Sequence, residues 1–254
     1  MRSFFLGRVN MVTYYAKNKN QSWYGESIGI LILNATYPCI PGNVGNASTF
    51  PFPVRYKVVK EASIERLLRK RDKSLIQPFI TAAIELQEEG VRAITGACGF
   101  MALFQREVSD AVDVPVFLSS LLQIPFIYQI TKKRIGIITA DSKSLTHDHF
   151  ISVGVNKEVP LAIKGMEDQE EFREAILEEK GSLDSERIEK EVIHVAKGLI
   201  TGHPDIGAIL LECSDLPPYA QAIQQEVNLP VFDFITMIEY VHAGLVRKEI
   251  HGFM

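Results

Sequence analysis

The sequence predicts an α/β protein of two pseudo-twofold-related lobes, each a mostly parallel sheet flanked by helices, with a cleft between them. Three observations predict it. Short β-branched apolar runs alternate with helix-period segments, the pattern of parallel strands covered on both faces. The chain also repeats itself: VRAITGACGF (91–100) aligns with IGAILLECSD (206–215), matching Ala93 to Ala208, Ile94 to Ile209 and Cys98 to Cys213. Finally, VPVF (114–117) and LPVF (229–232) follow the two cysteines at the same distance. A repeat that survives over such a span marks a duplicated unit rather than chance similarity.

The elements follow in order. Residues 1–25, with the polar stretch KNKNQSW, read as an N-terminal arm. In the first half, IGILIL, YKVV, VRAIT and PVFL read as buried strands; in the second, RIGIIT, PLAIK, IGAILL and PVFDF do. SLIQPFITAAIELQEEG (74–90) has a helical period and ends in the glycine expected past a helix C-terminus. SERIEKEVIHVAKGLI (185–200) opens with a capping serine. After Cys98, the residues Phe100, Leu103, Phe104, Val108 and Ala111 share one helical face; after Cys213, Pro217 opens a helix carrying Ala220, Ile223 and Val227. The first lobe is expected over 26–130 plus 235–254 and carries Cys98. The second is expected over 131–234 and carries Cys213.

Composition narrows the class. A net charge of −4 over 254 residues, with no basic run denser than RLLRKRDK (66–73), speaks against a nucleic-acid surface. That run reads as the solvated end of a helix. No stretch approaches a membrane span and the opening lacks a signal-peptide core, so the expectation is a cytoplasmic protein. Three cysteines without a CxxC pair suit a reducing compartment and offer neither a disulfide framework nor a zinc site. The sequons at Asn20, Asn34 and Asn46 then carry no meaning.

Each of the aligned cysteines stands at the C-terminal end of a strand and the start of a helix, the edge where open α/β sheets bind ligands. Pseudo-twofold symmetry would turn the two thiols toward each other across the cleft. A thiol titrates close enough to cellular pH to take and return a proton. A helix start beside each is expected to favour the thiolate and to bind a carboxylate. Gly96 and Gly99 allow close backbone approach, and Phe100 makes one wall apolar. Asn34 and Asn46, in the Pro/Gly/Asn-rich loop 34–54, and Ser119, Ser120 and Thr139, at strand ends, are candidate substrate contacts. Glu212 is a candidate ion-pair partner or modulator of Cys213. Cys39 has no counterpart in the second half and reads as structural or incidental. His147 and His149, two apart on a helix, face different ways and lack a third ligand, so no metal site is expected. His194 reads as a partly buried packing residue.

The paired cysteines, the duplicated halves and the motif LECSDLPPY (211–219) resemble the aspartate/glutamate racemase superfamily, with its hydantoin racemases, maleate isomerases and arylmalonate decarboxylases. The resemblance covers nearly the whole chain after residue 25. It implies a cofactor-independent enzyme, usually a homodimer, acting on a small carboxylate-bearing or carbonyl-activated molecule. Carried over, Cys98 and Cys213 become an acid/base pair, and Ser214 stands where the family often has threonine. The chain departs from the glutamate racemases at Gly99-Phe100, at Asn34-Ala35-Thr36 and at Asp215, where those enzymes carry Asn-Thr, Asp-Ser and histidine. The expected function is a racemase or epimerase using two-cysteine proton transfer. The alternatives are a decarboxylase or cis–trans isomerase on the same scaffold, or a two-lobed binding protein without turnover.

Overall fold

The computed structural model describes Thr13 and residues 21–254, so most of the expected arm, with the sequon at Asn20, lies outside the described residues. Among the described residues, eight strands form two four-stranded parallel sheets. The first contains β1 (Ile28–Leu33), β2 (Val54–Val59), β3 (Ala93–Gly96) and β4 (Val116–Phe117), in the order β2-β1-β3-β4. The second contains β5 (Arg134–Thr139), β6 (Leu161–Gly165), β7 (Ile206–Leu211) and β8 (Val231–Phe232), in the order β6-β5-β7-β8. The second order is the first repeated, as a duplicated chain requires. In each sheet the order reverses between the two central strands, and loops leaving those strands diverge to open a crevice.

Among the described residues, eight α-helices cover the sheets: α1 (Ile76–Glu88), α2 (Gln105–Asp110), α3 (Ile124–Thr131), α4 (His147–Ser152), α5 (Glu170–Phe172), α6 (Ser185–Gly202), α7 (Ala220–Val227) and α8 (Phe234–Leu245). Burial explains the assignments. β1 reads as a continuous apolar run because both faces are covered, with Ile28, Ile30 and Leu31 fully buried. α1 turns Phe79, Ala82, Ala83 and Leu86 inward, and Gly90 behind it takes a φ of +89. α6 buries Ile188, Val192, Val195, Ala196 and Leu199 along one stripe. Its cap is Asp184, not Ser185: the Asp184 carboxylate accepts from the Arg187 amide at 3.1 Å. α8 returns to the first lobe, where Phe234, Met237 and Ile238 pack with Ile28 and Ile30.

Local geometry departs from the expected helices in a repeated way. The chain after Cys98 winds first as a 3-10 helix, Gly99–Phe104, before α2; the chain after Cys213 does so at Pro217–Tyr219 before α7. Each lobe also carries a π-helical turn, Glu65–Arg69 in the first and Arg173–Leu177 in the second. Each is closed by the same pattern: Lys70 N–H to the Glu65 carbonyl, Glu178 N–H to the Arg173 carbonyl, both at 2.9–3.0 Å. A left-handed residue follows each, Arg71 and Glu179. The basic run 66–73 is therefore only partly solvated: Leu67 and Leu68 are core, and Arg66 pairs with Asp72 at 2.7 Å.

Among the described residues no helix is long and apolar enough to cross a membrane. No group of three or more His, Cys, Asp or Glu among them is placed to hold a metal ion. His149 is buried and its Nδ1 accepts from the Thr146 amide at 3.0 Å, with burial pushing it down to about 4, so the ring is neutral. His147 and His194 are both exposed, His194 against the expectation of a packing role.

Candidate active site

β3 and β7 end two residues before Cys98 and Cys213, and both thiols line one cavity between the lobes. Its walls come from both halves: Tyr37 and Ala97–Phe100 from the first, Ala140 and Glu212–Asp215 from the second. Leu33 completes it with side chains at the two π-helical turns: Ile64, just before the first, and Leu68 on one side, Ile176 and Leu177 on the other. The enclosed space is about 20 Å3, room for roughly one water.

The floor is stitched by inter-lobe hydrogen bonds. Ser214 Oγ donates to the Ala97 carbonyl at 2.8 Å, and the Val44 amide donates to the Ser214 carbonyl at 3.3 Å. Ser120 Oγ donates to the Leu211 carbonyl at 3.0 Å. Gly99 lies against Glu212: a Cβ there would stand 2.0 Å from Glu212 Oε1 and 2.4 Å from its carbonyl oxygen. Glycine is required at 99 by this close approach of two segments of the chain.

The polar groups are acids. Asp215 is held on three sides: Asn43 Nδ2 donates to Oδ1 at 2.6 Å, Cys213 Sγ donates to Oδ2 at 3.3 Å, and the Tyr37 hydroxyl also bonds the carboxylate. Glu212 Oε2 accepts from Thr139 Oγ1 at 2.8 Å, whereas Oε1 is buried without a hydrogen-bond partner. Burial is the largest cause of the shift that takes Glu212 up to about 8, and it raises Asp215 as well. Neither carboxyl has a basic neighbour in the cavity wall.

Burial and those acids together set the thiols. Burial first, then the Glu212 charge, raises Cys98 well above an ordinary thiol, while the Phe100 amide works weakly the other way. Cys213 is raised by burial, then by Asp215 and Glu212. Helix starts had been expected to favour the thiolates. The physical reason for the opposite outcome is that each thiol meets one helpful amide but two carboxyls, with Cys213 buried and Cys98 only partly open to solvent.

The sequence-chosen contacts divide. Cys98, Gly99, Phe100, Cys213 and Ser214 line the cavity. Thr139 sits one step behind, holding Glu212. Ser119 is buried and caps the turn after β4, its Oγ accepting from the Leu121 amide at 3.2 Å. Asn34 is exposed and donates to the Lys60 carbonyl, and Asn46 donates to the Cys39 carbonyl while accepting from the Ser48 amide. Ser119, Asn34 and Asn46 are thus spent on backbone and lie outside the cavity wall, contrary to expectation. Cys39 likewise belongs to its loop, half-buried and outside the wall. Sequence reasoning missed Tyr37 and Asn43. Both sit in loop 34–54, which the composition had marked, but nothing in its pattern says which side chains turn inward.

No family model matches the sequence. Among solved structures, unliganded arylmalonate decarboxylase superposes with a TM-score of 0.60 at 13% identity, covering 89% of this chain and 94% of that one. An aspartate racemase homologue from Pyrococcus horikoshii OT3 gives 0.52 at 17% identity, covering 85% of this chain and 99% of that one. These likenesses are of fold. Sequence similarity points further. Dimethylsulfoniopropionate lyase 3 of Emiliania huxleyi (strain CCMP1516) is 32% identical over 237 residues, covering 89% of this chain but only 61% of that protein's length. A dimethylsulfoniopropionate lyase of Durusdinium sp. clade D is 34% identical over 234 residues, covering 89% of this chain and 77% of that protein. The two-lobed fold is like that of arylmalonate decarboxylase and of the aspartate racemase homologue, and by sequence the chain belongs to the dimethylsulfoniopropionate lyase family.

Proposed function

We propose that the chain is a cofactor-independent lyase that removes a proton beside a carboxylate and expels a sulfonium group, acting on dimethylsulfoniopropionate or a close analogue. The observation that carries this reading is the Cys213–Asp215 hydrogen bond of 3.3 Å at the wall of the inter-lobe cavity. It joins a thiol to a carboxylate that takes its proton once a cation beside them lowers the thiol. In the proposed step the substrate's sulfonium charge lowers Cys213, its proton passes to Asp215, and the thiolate removes the proton from the carbon next to the substrate carboxylate. The freed C–H electron pair becomes the new carbon–carbon double bond. The carbon–sulfur bond breaks with its electrons on sulfur, so the cationic leaving group departs as a neutral thioether and an unsaturated acid remains. A positioned base of this kind contributes about 10²–10⁴-fold.

The test is direct. The full chain is incubated with dimethylsulfoniopropionate, and dimethyl sulfide and acrylate are quantified together. Cys213→Ala is expected to lose at least about a hundredfold in kcat. Absence of both products with the folded wild-type chain, or their undiminished release by Cys213→Ala, would refute the reading.

A second reading stands on the second thiol. Elimination needs one base, whereas Cys98 reaches the same cavity from the other lobe, the arrangement a two-sided proton transfer uses. A racemase or epimerase would return its substrate intact, inverted and carrying deuterium from deuterated water. A lyase would return an alkene instead.

A further inference from the structure

We infer that Glu179, an exposed residue of the second lobe, is a positioning residue that holds loop 34–54 across the mouth of the cavity and keeps Tyr37 aimed at Asp215. The reaction it serves is the lyase step proposed above, and to that extent the inference rests on that reading; the closure itself stands on the geometry of the two lobes.

A bond between the lobes leads to it. Glu179 Oε1 accepts from the Thr36 amide at 2.5 Å. Neither residue lines the cavity, but near neighbours of both do: Tyr37 follows Thr36, and Leu177 stands two residues before Glu179. The bond therefore draws two walls of opposite lobes together at their outer edge. Inward from it, the Tyr37 hydroxyl bonds the Asp215 carboxylate, which also accepts from the Cys213 thiol at 3.3 Å. An exposed carboxylate is thus connected, bond by bond, to a reacting sulfur.

Both ends of the bond are anchored. Just before Thr36, the Asn34 amide donates to the Ala62 carbonyl at 2.8 Å and the Asn34 side chain to the Lys60 carbonyl at 3.1 Å, which fixes the chain where it leaves β1. Just after Glu179, Lys180 Nζ donates to the buried Glu171 carboxylate at 2.8 Å. A carboxylate presented from a fixed base to a loop amide sets where that loop lies.

The duplication shows that the fold does not demand this contact. Arg71 holds the equivalent place in the first lobe, two residues past its π-helical turn, with a φ of +48 against +53 for Glu179. The amides that follow, Asp72 and Lys180, close matching bonds to the Arg66 and Glu174 carbonyls, both at 3.0 Å. Among the described residues no hydrogen bond or ion pair joins Arg71 to the second lobe. The left-handed turn belongs to the repeat, and the inter-lobe bond is an addition made by one copy. The space it closes over is about 20 Å3, so a substrate enters only when the walls part. One exposed hydrogen bond is weak enough to break and re-form at each turnover.

The experiment measures how readily the cavity opens. The full native chain is treated with iodoacetamide at one pH, and modification of Cys213, the buried thiol, is followed by peptide mass spectrometry. Wild type, Glu179→Ala, Glu179→Gln and Arg71→Ala are compared, with urea midpoints measured alongside. Loss of the bond in Glu179→Ala is expected to speed modification about fivefold without moving the midpoint. Glutamine keeps an acceptor oxygen and should return the rate to within about twofold of the wild type. Arg71→Ala should match the wild type. With dimethylsulfoniopropionate, Glu179→Ala is expected to lose about tenfold in kcat/KM and Glu179→Gln to recover it. An unchanged alkylation rate or kcat/KM in Glu179→Ala, an equal rise in Arg71→Ala, no recovery with glutamine, or a rise that merely tracks the midpoint would overturn the inference. The two proposals fail separately. If the wild type releases no dimethyl sulfide, the lyase reading falls while the alkylation rates still decide the role of Glu179. If the wild type cleaves its substrate and alkylation is unmoved, the role of Glu179 falls alone.

Discussion

Replacing Glu212 with glutamine removes a titrating group from between the lobes while keeping its shape and its acceptor for Thr139. In the folded chain this carboxyl rises from an ordinary 4.5 to about 8, chiefly through burial, with Asp215 adding and the Thr139 hydroxyl opposing. The sign follows from linkage. Below pH 4.5 the acid is protonated in folded and unfolded chains alike, and its contribution to stability is fully present. Between 4.5 and about 8 the unfolded chain has lost the proton and the folded chain has kept it, so folding is progressively disfavoured. The slope is about 1.4 kcal/mol per pH unit, and the loss across the window is on the order of 4–5 kcal/mol. Glutamine does not titrate, so the variant should match the wild type near pH 4.5 and exceed it by several kcal/mol at pH 8. Urea unfolding of both proteins at half-unit pH steps measures the difference, in which other titrating groups cancel. Parallel curves across the window would show that Glu212 is ionised inside the fold and would refute the burial argument.

Three further outcomes are expected. Gly99→Ala must push a methyl group into Glu212, at 2.0 Å from its carboxylate and 2.4 Å from its backbone carbonyl, and should cost about 1–3 kcal/mol in chemical denaturation. Because the backbone contact remains, adding Glu212→Ala should not restore it, and full rescue would show that the clash is with the side chain alone. Asn43→Ala leaves Asp215 Oδ1 without its 2.6 Å donor and should cost about 1–3 kcal/mol by the same assay; an unchanged midpoint would mean another donor takes its place. Above pH 8, where Glu212 is ionised, alkylation of Cys98 by iodoacetamide should be slow in the native wild type and faster in Glu212→Gln, since the Glu212 charge is the largest electrostatic cause raising that thiol. Equal rates would remove Glu212 from the account of Cys98.

The features of the fold that were legible in the sequence are those that periodicity and repetition encode. β1 and β5, β3 and β7 are recognisable because buried parallel strands are written as unbroken apolar runs, and the repeat fixed which strand corresponds to which. The π-helical turns were not legible, because one extra residue in a turn leaves apolar spacing almost unchanged; Leu67 and Leu68 sat unnoticed inside a basic run. The cap of α6 fell one residue early for a similar reason, since Asp184 and Ser185 are both good caps and only geometry decides. At the site, Cys98 and Cys213 could be picked out by their shared offset. Asn34 and Asn46 could not be told from Asn43, because an asparagine in a loop bonds backbone as readily as it bonds a neighbouring carboxylate. The thiols' protonation was misjudged because helix starts are visible in a sequence and the burial of Glu212 and Asp215 is not.

The inter-lobe bonds have a consequence for how anything reaches the thiols. Ser214 to Ala97, Ser120 to Leu211 and Val44 to Ser214 lock the two halves together at the very base of the crevice. Pulling the halves apart would therefore break the floor of the cavity before it admitted a guest. The outer margin is tethered more lightly, with the Thr36 amide donating to Glu179 at 2.5 Å in an exposed position beside the second π-helical segment. The base therefore holds Cys98 and Cys213 in a fixed mutual placement by hydrogen bonds, whereas Ile64, Leu68, Ile176 and Leu177 line the cavity with apolar side chains that have no hydrogen bonds to hold them there.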